Sequence, residues 1–418
     1  MKIVLVNTFG HAGAANSCIR LHMGLRKAGI ESFLLLLKDT SSGSVTHKAE
    51  CTTKYEIPSS PWWNRKKQPI AVASNIKREI LAAVPEKLEW FSFANAGYDI
   101  TDHEFYKQAD IVNLHWVSGF IDYASIKNIA KPIVWTLHDM NPFTGGCHYS
   151  GGCDLFVKSC KPCPQLESIS DVEATGIDHA YKLHSLSKVN NLSIVTPSNW
   201  LTGESKKSSL FGSKLHSTIP YGLDETIFKP GNRQELRTKY KLPQDKKVIL
   251  FVAYKSLFIK RKGYKELTDA FEDFKGNDVT LLAVGGTGNE SLENSNLIDF
   301  GFVHGEAQMA ELYSLADLFI IPSLEDNLPN TVIESLLCGT PVVGFETGGI
   351  PDMIVDGFNG VLSKEKTANS LLKAIEKALI GISKFDRDEI RNDAKARFNL
   401  DVQARTYIDL YSSLLLRK

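Results

Sequence analysis

Short, continuous apolar runs alternate along the chain with stretches whose apolar residues recur at helical spacing. In the first half the runs cover residues 3–6, 32–37, 111–114, 133–137 and 193–196. Uninterrupted runs of this length suit strands covered on both faces. Between the first two lies a loop of small residues, 9–15, and then a helical pattern over 18–28 carried by Ile19, Leu21 and Leu25 and stopped by Gly29. A Pro- and Gly-containing segment, 220–230, reads as a linker. A second series of strand-like runs follows at 248–252, 279–284, 297–300, 318–321 and 341–345, and the pattern closes with a helix over 391–416 broken near Asn399. Strand and helix alternating twice over predicts an α/β protein of two doubly wound parallel sheets.

Length and composition narrow the classes. The 418 residues accommodate two domains of ordinary size, and 48 basic residues against 48 acidic ones leave no net charge. That balance argues against a nucleic-acid binder relying on bulk positive charge. No apolar run reaches the 18 residues a membrane helix needs. The apolar start, Ile3-Val4-Leu5-Val6, is too short for a signal-peptide core and reads as the first strand, so a cytoplasmic protein is expected. In that compartment the seven cysteines, four of them clustered, point to metal before disulfides.

The densest chemistry lies at residues 316–334. A buried-strand run, Leu318-Phe319-Ile320-Ile321, leads into Pro322-Ser323-Leu324-Glu325-Asp326-Asn327-Leu328-Pro329-Asn330-Thr331, then a helix start that includes Glu334. Ligands of open parallel sheets bind outside strand C-termini, and a helix N-terminus there suits phosphate. The alternative is local: Thr331-x-x-Glu334 is also the spacing of a capping box, which needs no ligand. Lys260-Arg261-Lys262-Gly263 follows the first strand of the second half and would bring cations to the same edge. In the first half, His138 ends one strand-like run and His115 the run before it.

Taken in order, these segments resemble retaining nucleotide-sugar glycosyltransferases of family GT4. The resemblance implies the GT-B fold: two Rossmann-like doubly wound domains facing across a cleft, 1–225 on the acceptor side and 226–399 binding the donor, with 400–418 returning to the first. Two glutamates seven residues apart mark the family; here Asp326 and Glu334 have that spacing, with aspartate replacing the first glutamate and Glu325 beside it. The resemblance assigns sugar hydroxyls to Asp326, ribose to Glu334, and the diphosphate to Lys262 with Arg261. The family arginine has no match, since Ala253-Tyr254-Lys255 occupies its region. His138 matches the histidine that contacts the donor sugar, and Gly13-Ala14 the small-residue loop near the phosphates. Leu328, Pro329, Asn330 and Thr331 complete the donor loop with Asn327. Ser198-Asn199-Trp200-Leu201 and Gly348-Gly349-Ile350-Pro351-Asp352 match further segments, the first more for architecture than for chemistry. The resemblance further implies a metal-independent transfer with retention, from a nucleotide diphosphate sugar to a glycan or lipid-linked acceptor, with a leaving phosphate oxygen taking the acceptor's proton.

Three features stand beside that reading. Cys147, Cys153, Cys160 and Cys163 are spaced Cys-x5-Cys-x6-Cys-x2-Cys; the pattern suits a structural zinc, with disulfides or free thiols as alternatives and His148 as an alternative ligand. Trp62-Trp63-Asn64-Arg65-Lys66-Lys67, within the weakly patterned 55–97, combines aromatics with cations, which suits either peripheral contact at the inner face of a membrane or a solvated loop. Two other functions fit parts of the sequence: a non-catalytic nucleotide-sugar-binding protein, and a zinc hydrolase built on His115, His138, Asp139 and the cysteines.

Overall fold

The computed structural model describes residues 1–38, 52–54, 91–94, 97–166, 173–252, 259–276, 278–285, 297–303 and 305–417. Lys255 and the segment around Trp62 lie outside the described residues, so the expectations placed on them are not taken further. The chain divides into two compact units, Met1–Ile219 with Ala404–Lys418, and Pro220–Gln403.

The first unit is built on seven parallel strands: β1 (Lys2–Phe9), β2 (Glu31–Lys38), β3 (Thr52–Lys54), β4 (Ile111–Leu114), β5 (Ile133–Thr136), β6 (Leu192–Thr196) and β7 (Leu215–Thr218). Their order is β3-β2-β1-β4-β5-β6-β7. Side chains alternate faces along a strand, so a run apolar at every position needs cover on both sides. Val4 and Val6 join one core with Leu35, Leu114 and Trp135. Ile3 and Leu5 join the opposite core with Leu21, Leu25, Leu34 and Leu36. The helix Leu400–Leu415 completes the second core with fully buried Tyr407 and Tyr411. Their hydroxyls keep polar partners inside: Asn113 Nδ2 donates to Tyr411 Oη at 2.7 Å, and Tyr407 Oη lies 3.0 Å from Thr136 Oγ1.

The second unit repeats the plan with β8 (Lys247–Val252), β9 (Val279–Val284), β10 (Leu297–Gly301), β11 (Leu318–Ile321), β12 (Val342–Phe345) and β13 (Gly360–Ser363), in the order β10-β9-β8-β11-β12-β13. Val248, Leu250, Phe319 and Ile321 face one core. Ile249, Phe251, Leu318 and Ile320 face the other.

Each sheet has one place where strand order reverses, between β1 and β4 and between β8 and β11. Two successive crossovers leave in opposite directions there, and the C-terminal edge opens into a crevice. The helix Gly13–Lys27 starts earlier than its sequence pattern suggests, so Gly13, Ala14 and Ala15 form a first helical turn instead of loop. The break at Asn399 separates the helices Arg387–Phe398 and Leu400–Leu415, as the pattern implies. No helix among the described residues is long and apolar enough to cross a membrane.

Candidate functional site

In the second unit, β8 leads to a short 3-10 turn, Lys260–Lys262, closed by Gly263 at φ +66°. Glycine is required there: a Cβ would lie 1.7 Å from the Pro322 carbonyl oxygen. That close approach seats the turn against the loop after β11. The Leu324 N–H donates to the Arg261 carbonyl at 2.7 Å, and Arg261 Nη1 donates to the Glu325 carbonyl at 2.8 Å. From the other side Gly348, at φ +56°, packs its backbone on Asp326, and the Gly349 N–H donates to the Asp326 carbonyl at 2.9 Å. Residues 322–329 are thus held between two glycine turns.

Asp326 is buried at the centre of this clamp. Lys262 Nζ donates to Asp326 Oδ2 at 2.7 Å, and Arg261 Nη1 lies 3.6 Å from the same oxygen. The Asn327 N–H and Ser323 Oγ also donate to the carboxylate, at 3.0 and 3.3 Å. Burial works to raise the Asp326 pKa, but the Lys262 and Arg261 charges with these hydrogen bonds outweigh it and hold the carboxyl below its usual range. Lys262 is a third exposed, so the pair sits where solvent and an anionic ligand can reach the ammonium.

The helix Asn330–Leu337 begins after Pro329, and no side chain caps its first turn. Thr331 is its second residue, so the capping-box alternative for Thr331 and Glu334 does not hold. The first-turn amides keep their partial positive charge. Asn330, Thr331 and Glu334 are half-buried, Leu328 is buried in the core, and Tyr313 Oη donates to Glu334 Oε2 at 3.0 Å. The structure brings Lys262, Arg261, Glu325, Asp326 and Asn327 into direct contact; Glu334 lies on the helix and accepts from Tyr313.

In the first unit, the helix after β1 opens at Gly13 behind Ala12, which has φ 76° and supplies no side-chain cap. Among the described residues, a Cβ on Gly13 would meet nothing within 4 Å. Beyond β4 and β5 two pairs of neighbours interlock. His115 Nδ1 lies 3.0 Å from His138 Nε2, and the indole N–H of Trp116 donates to Asp139 Oδ2 at 2.9 Å. Asp139 also accepts from the Asn141 N–H at 2.9 Å and pairs with His148 Nδ1 at 2.7 Å, while His148 Nε2 meets Ser92 Oγ at 2.9 Å. Burial pushes the His138 pKa down to about 4, against a smaller opposing effect of Asp139. Burial, with His138 adding to it, takes His115 well below its ordinary value. Both rings are therefore neutral near pH 7.

Sequence reasoning missed what fastens this segment. Lys182, fully buried, pairs with Asp178 at 3.0 Å and donates to the carbonyls of Asn141 and Thr144 at 2.8 and 2.9 Å. A lysine inside an amphipathic helical pattern gives no signal of such a role. His148, considered as a metal ligand, instead spends both nitrogens on Asp139 and Ser92. His115 and His138 spend facing nitrogens on each other, which leaves the zinc-hydrolase reading without its ligand set.

The cysteines at 147, 153, 160 and 163 are free thiols, so the disulfide alternative is not realised. Three sulfurs accept backbone amides: Cys160 from Gly145 at 3.1 Å, Cys153 from Leu155 at 3.5 Å, and Cys163 from Gln165 and Leu166. Burial pushes Cys147 and Cys160 up to about 12. Among the described residues no group of three or more His, Cys, Asp or Glu is gathered tightly enough to hold a metal ion.

With the geometry in hand, comparison with known proteins defines the class. Over its full length the chain has the fold of sucrose-phosphate synthase from Thermosynechococcus elongatus (TM-score 0.68, 17% identity, 100% of both chains). It also has the fold of Anabaena HepE in complex with UDP and glucose (TM-score 0.65, 16% identity, 99% of this chain and 100% of that one). The architecture is GT-B: two Rossmann-like parallel-sheet units. Residues 232–396, which lie within the second unit, match the model of the family Glycosyl transferases group 1. Similar sequences include the putative teichuronic acid biosynthesis glycosyltransferase TuaC of Bacillus subtilis (26% identity, 60% of this chain, 65% of the relative). D-inositol 3-phosphate glycosyltransferase of Mycolicibacterium smegmatis is likewise 26% identical over 60% of this chain. The matches span 65% and 56% of those two relatives' lengths.

Proposed function

We propose that this chain is a glycosyltransferase that moves a sugar, with retention, from a nucleotide diphosphate sugar to a glycan or lipid-linked acceptor, without a catalytic metal. One observation carries the proposal: Lys262 and Arg261, in the turn after β8, are gathered on a buried carboxylate at the point where strand order reverses. In sugar transfer the diphosphate leaves as an anion. An ammonium, a guanidinium and uncapped helix amides stabilise charge developing there, the role a metal ion fills elsewhere. Asp326 would receive sugar hydroxyls, Glu334 the ribose, and His138 a sugar oxygen. The group 1 match supports this reading, as does a structural neighbour bound to UDP and glucose. A lipid-linked acceptor would bring the chain to the inner face of a membrane.

The test is calorimetric titration of UDP-, GDP-, ADP- and dTDP-sugars in EDTA, followed by a hydrolysis assay of any that bind. Saturable binding with slow hydrolysis in EDTA is expected. Binding with no turnover in the presence of acceptor extracts would select the non-catalytic reading, and no binding by any member would overturn both. For the cysteine loop we propose a structural zinc on Cys147, Cys153, Cys160 and Cys163, supported by the four thiols within one loop and the amides aimed at three of them; since no three of these sulfurs are gathered for a metal in this structure, zinc would have to draw the loop together. Elemental analysis of the purified chain should find about one zinc per molecule; none, with the thiols titrating freely, removes the site.

A further inference from the structure

The Lys262 side chain is a third exposed, and its ammonium makes one hydrogen bond among the described residues, to Asp326 Oδ2 at 2.7 Å. Its other N–H bonds are left for solvent or a ligand. Arg261 is placed differently. Its guanidinium is largely buried, donates to the Glu325 carbonyl at 2.8 Å and lies 3.6 Å from the same Asp326 oxygen. Lysine carries its charge on a flexible stem and arginine on a planar fork. Lys262 is therefore the cation able to turn, and Arg261 the one that stays. The Asp326 carboxylate is 5% exposed; it also holds the Asn327 N–H on Oδ1 at 3.0 Å and Ser323 Oγ on Oδ2 at 3.3 Å. Of these contacts to Oδ2 the ammonium is the closest. A buried carboxylate oxygen that loses a charged donor is destabilised until another donor replaces it.

We infer that Asp326 is an internal stand-in for the diphosphate and that the site works by exchange: an arriving diphosphate draws Lys262 from Asp326 Oδ2, and a hydroxyl of the attached sugar takes the vacated place. The inference rests on the transferase reading and deepens it by setting which ligand the site holds and which it releases. A diphosphate carries more negative charge than one carboxylate, so it takes the ammonium. An intact nucleotide sugar then satisfies both Lys262 and Asp326. The nucleoside diphosphate left after transfer satisfies Lys262 alone and keeps Oδ2 short of a donor. Asp326 competes with that product for the ammonium, so it weakens product binding more than donor binding and favours release. The exchange needs only a side chain to move. Gly263 sits against the Pro322 carbonyl, and the Leu324 N–H donates to the Arg261 carbonyl, so the backbone of the turn is fixed against the loop that carries Asp326. The Lys262 and Arg261 charges keep the carboxyl ionised, as a competing anion must be.

The test is calorimetry of the full chain in EDTA with UDP and UDP-glucose; if another base is preferred, the matching nucleoside diphosphate and its glucose ester replace them. Asp326→Asn keeps the shape of the side chain and removes the competing charge. It should bind UDP about fivefold more tightly than wild type, the worth of a partly exposed ion pair. UDP-glucose gains the ammonium but loses a charge-assisted bond to its sugar, so its Kd should change by less than about twofold. With Lys262→Gln added, most of the UDP gain should vanish; the full gain there would trace it to Arg261 and overturn the exchange. An unchanged or weaker UDP affinity in Asp326→Asn also overturns the inference. An aspartate that only received sugar hydroxyls would leave UDP binding as it is, and a merely structural one would weaken both ligands. Should Asp326→Asn not fold, Lys262→Gln alone decides. With no ammonium to exchange, the preference for UDP-glucose over UDP should shrink about fivefold, and a preference equal to that of wild type overturns the inference. If wild-type protein binds no nucleoside diphosphate and no nucleotide sugar, the transferase reading fails and the inference falls with it. If wild type binds and the variants show none of these shifts, the inference alone is removed.

Discussion

The two units hold their chemical groups by opposite means. In the first, His115 pairs with His138, and Trp116 and His148 with Asp139; all but the half-buried Trp116 are buried, and the two facing imidazoles are neutral. In the second, Lys262 and Arg261 are charged, partly open to solvent, and paired with a carboxylate kept ionised by them. The first arrangement fixes shape: removing a partner leaves a buried polar atom unsatisfied, so the geometry is costly to alter. The second is poised to exchange partners. Under the proposed function an arriving diphosphate would compete with Asp326 for Lys262, and the carboxylate would still keep Arg261, Ser323 and the Asn327 N–H. One unit orients and the other responds to charge.

The strongest way to break that contrast is Lys262→Met. If the second unit works through charge, kcat/KM should fall about 10²–10³-fold, the usual cost of removing one preorganised charge-stabilising donor, read by steady-state transfer with any nucleotide sugar that binds. A fall below threefold would leave the diphosphate without its proposed partner. Breaking the buried pair also costs stability, so melting temperature is followed in parallel.

Acid should separate the units next. Five histidines, at 103, 115, 138, 179 and 216, have pKa values lowered mainly by burial, and all belong to the first unit. Each is neutral when folded and protonates more readily once unfolded. Unfolded chains then bind more protons, so stability rises with pH and is lost as pH falls. The contribution is fully present above about pH 6.5 and lost as pH drops toward about 4, where His138 also protonates in the folded chain. For His138 alone this amounts to about 3 kcal/mol. Asp326, with its pKa below the usual range, loses its contribution only at lower pH. Hydrogen exchange at pH 7 and pH 5 should show the strands of the first unit losing protection before those of the second; the reverse order would refute the neutral network.

The smallest effect sharpens the donor assignment. Glu334→Gln keeps shape and a hydrogen bond from Tyr313 but removes the charge offered to a ribose. The Kd for UDP should rise about tenfold, as expected for a lost charge-assisted hydrogen bond. An unchanged Kd in calorimetry would remove Glu334 from the site.

Much of the architecture could be read along the chain because both sheets are buried on both faces. Strands such as Leu318–Ile321 announce themselves as continuous apolar runs. The three strands not anticipated, β3, β7 and β13, all lie at sheet edges. An edge strand has one pairing partner and less cover, so its apolar run is short or absent; in Leu215–Thr218 the leucine is exposed and the other three residues are only half-buried. Candidate chemistry was also legible at strand ends, where Lys262, Asp326 and His138 stand. The role of Lys182 was not, because the carbonyls it serves lie about forty residues away.

Local physics therefore determined the repeating strand–helix alternation, the glycine turns and the places where polar groups leave the sheets. Only tertiary structure decided which of those groups meet. Lys262 reaches Asp326 across 64 residues because β8 and β11 are neighbours in the sheet, and Asn113 reaches Tyr411 across 298 because the last helix packs on the first unit's core. Strand order minimises exposed apolar surface over a whole unit, so no window of sequence short enough to read by periodicity contains it.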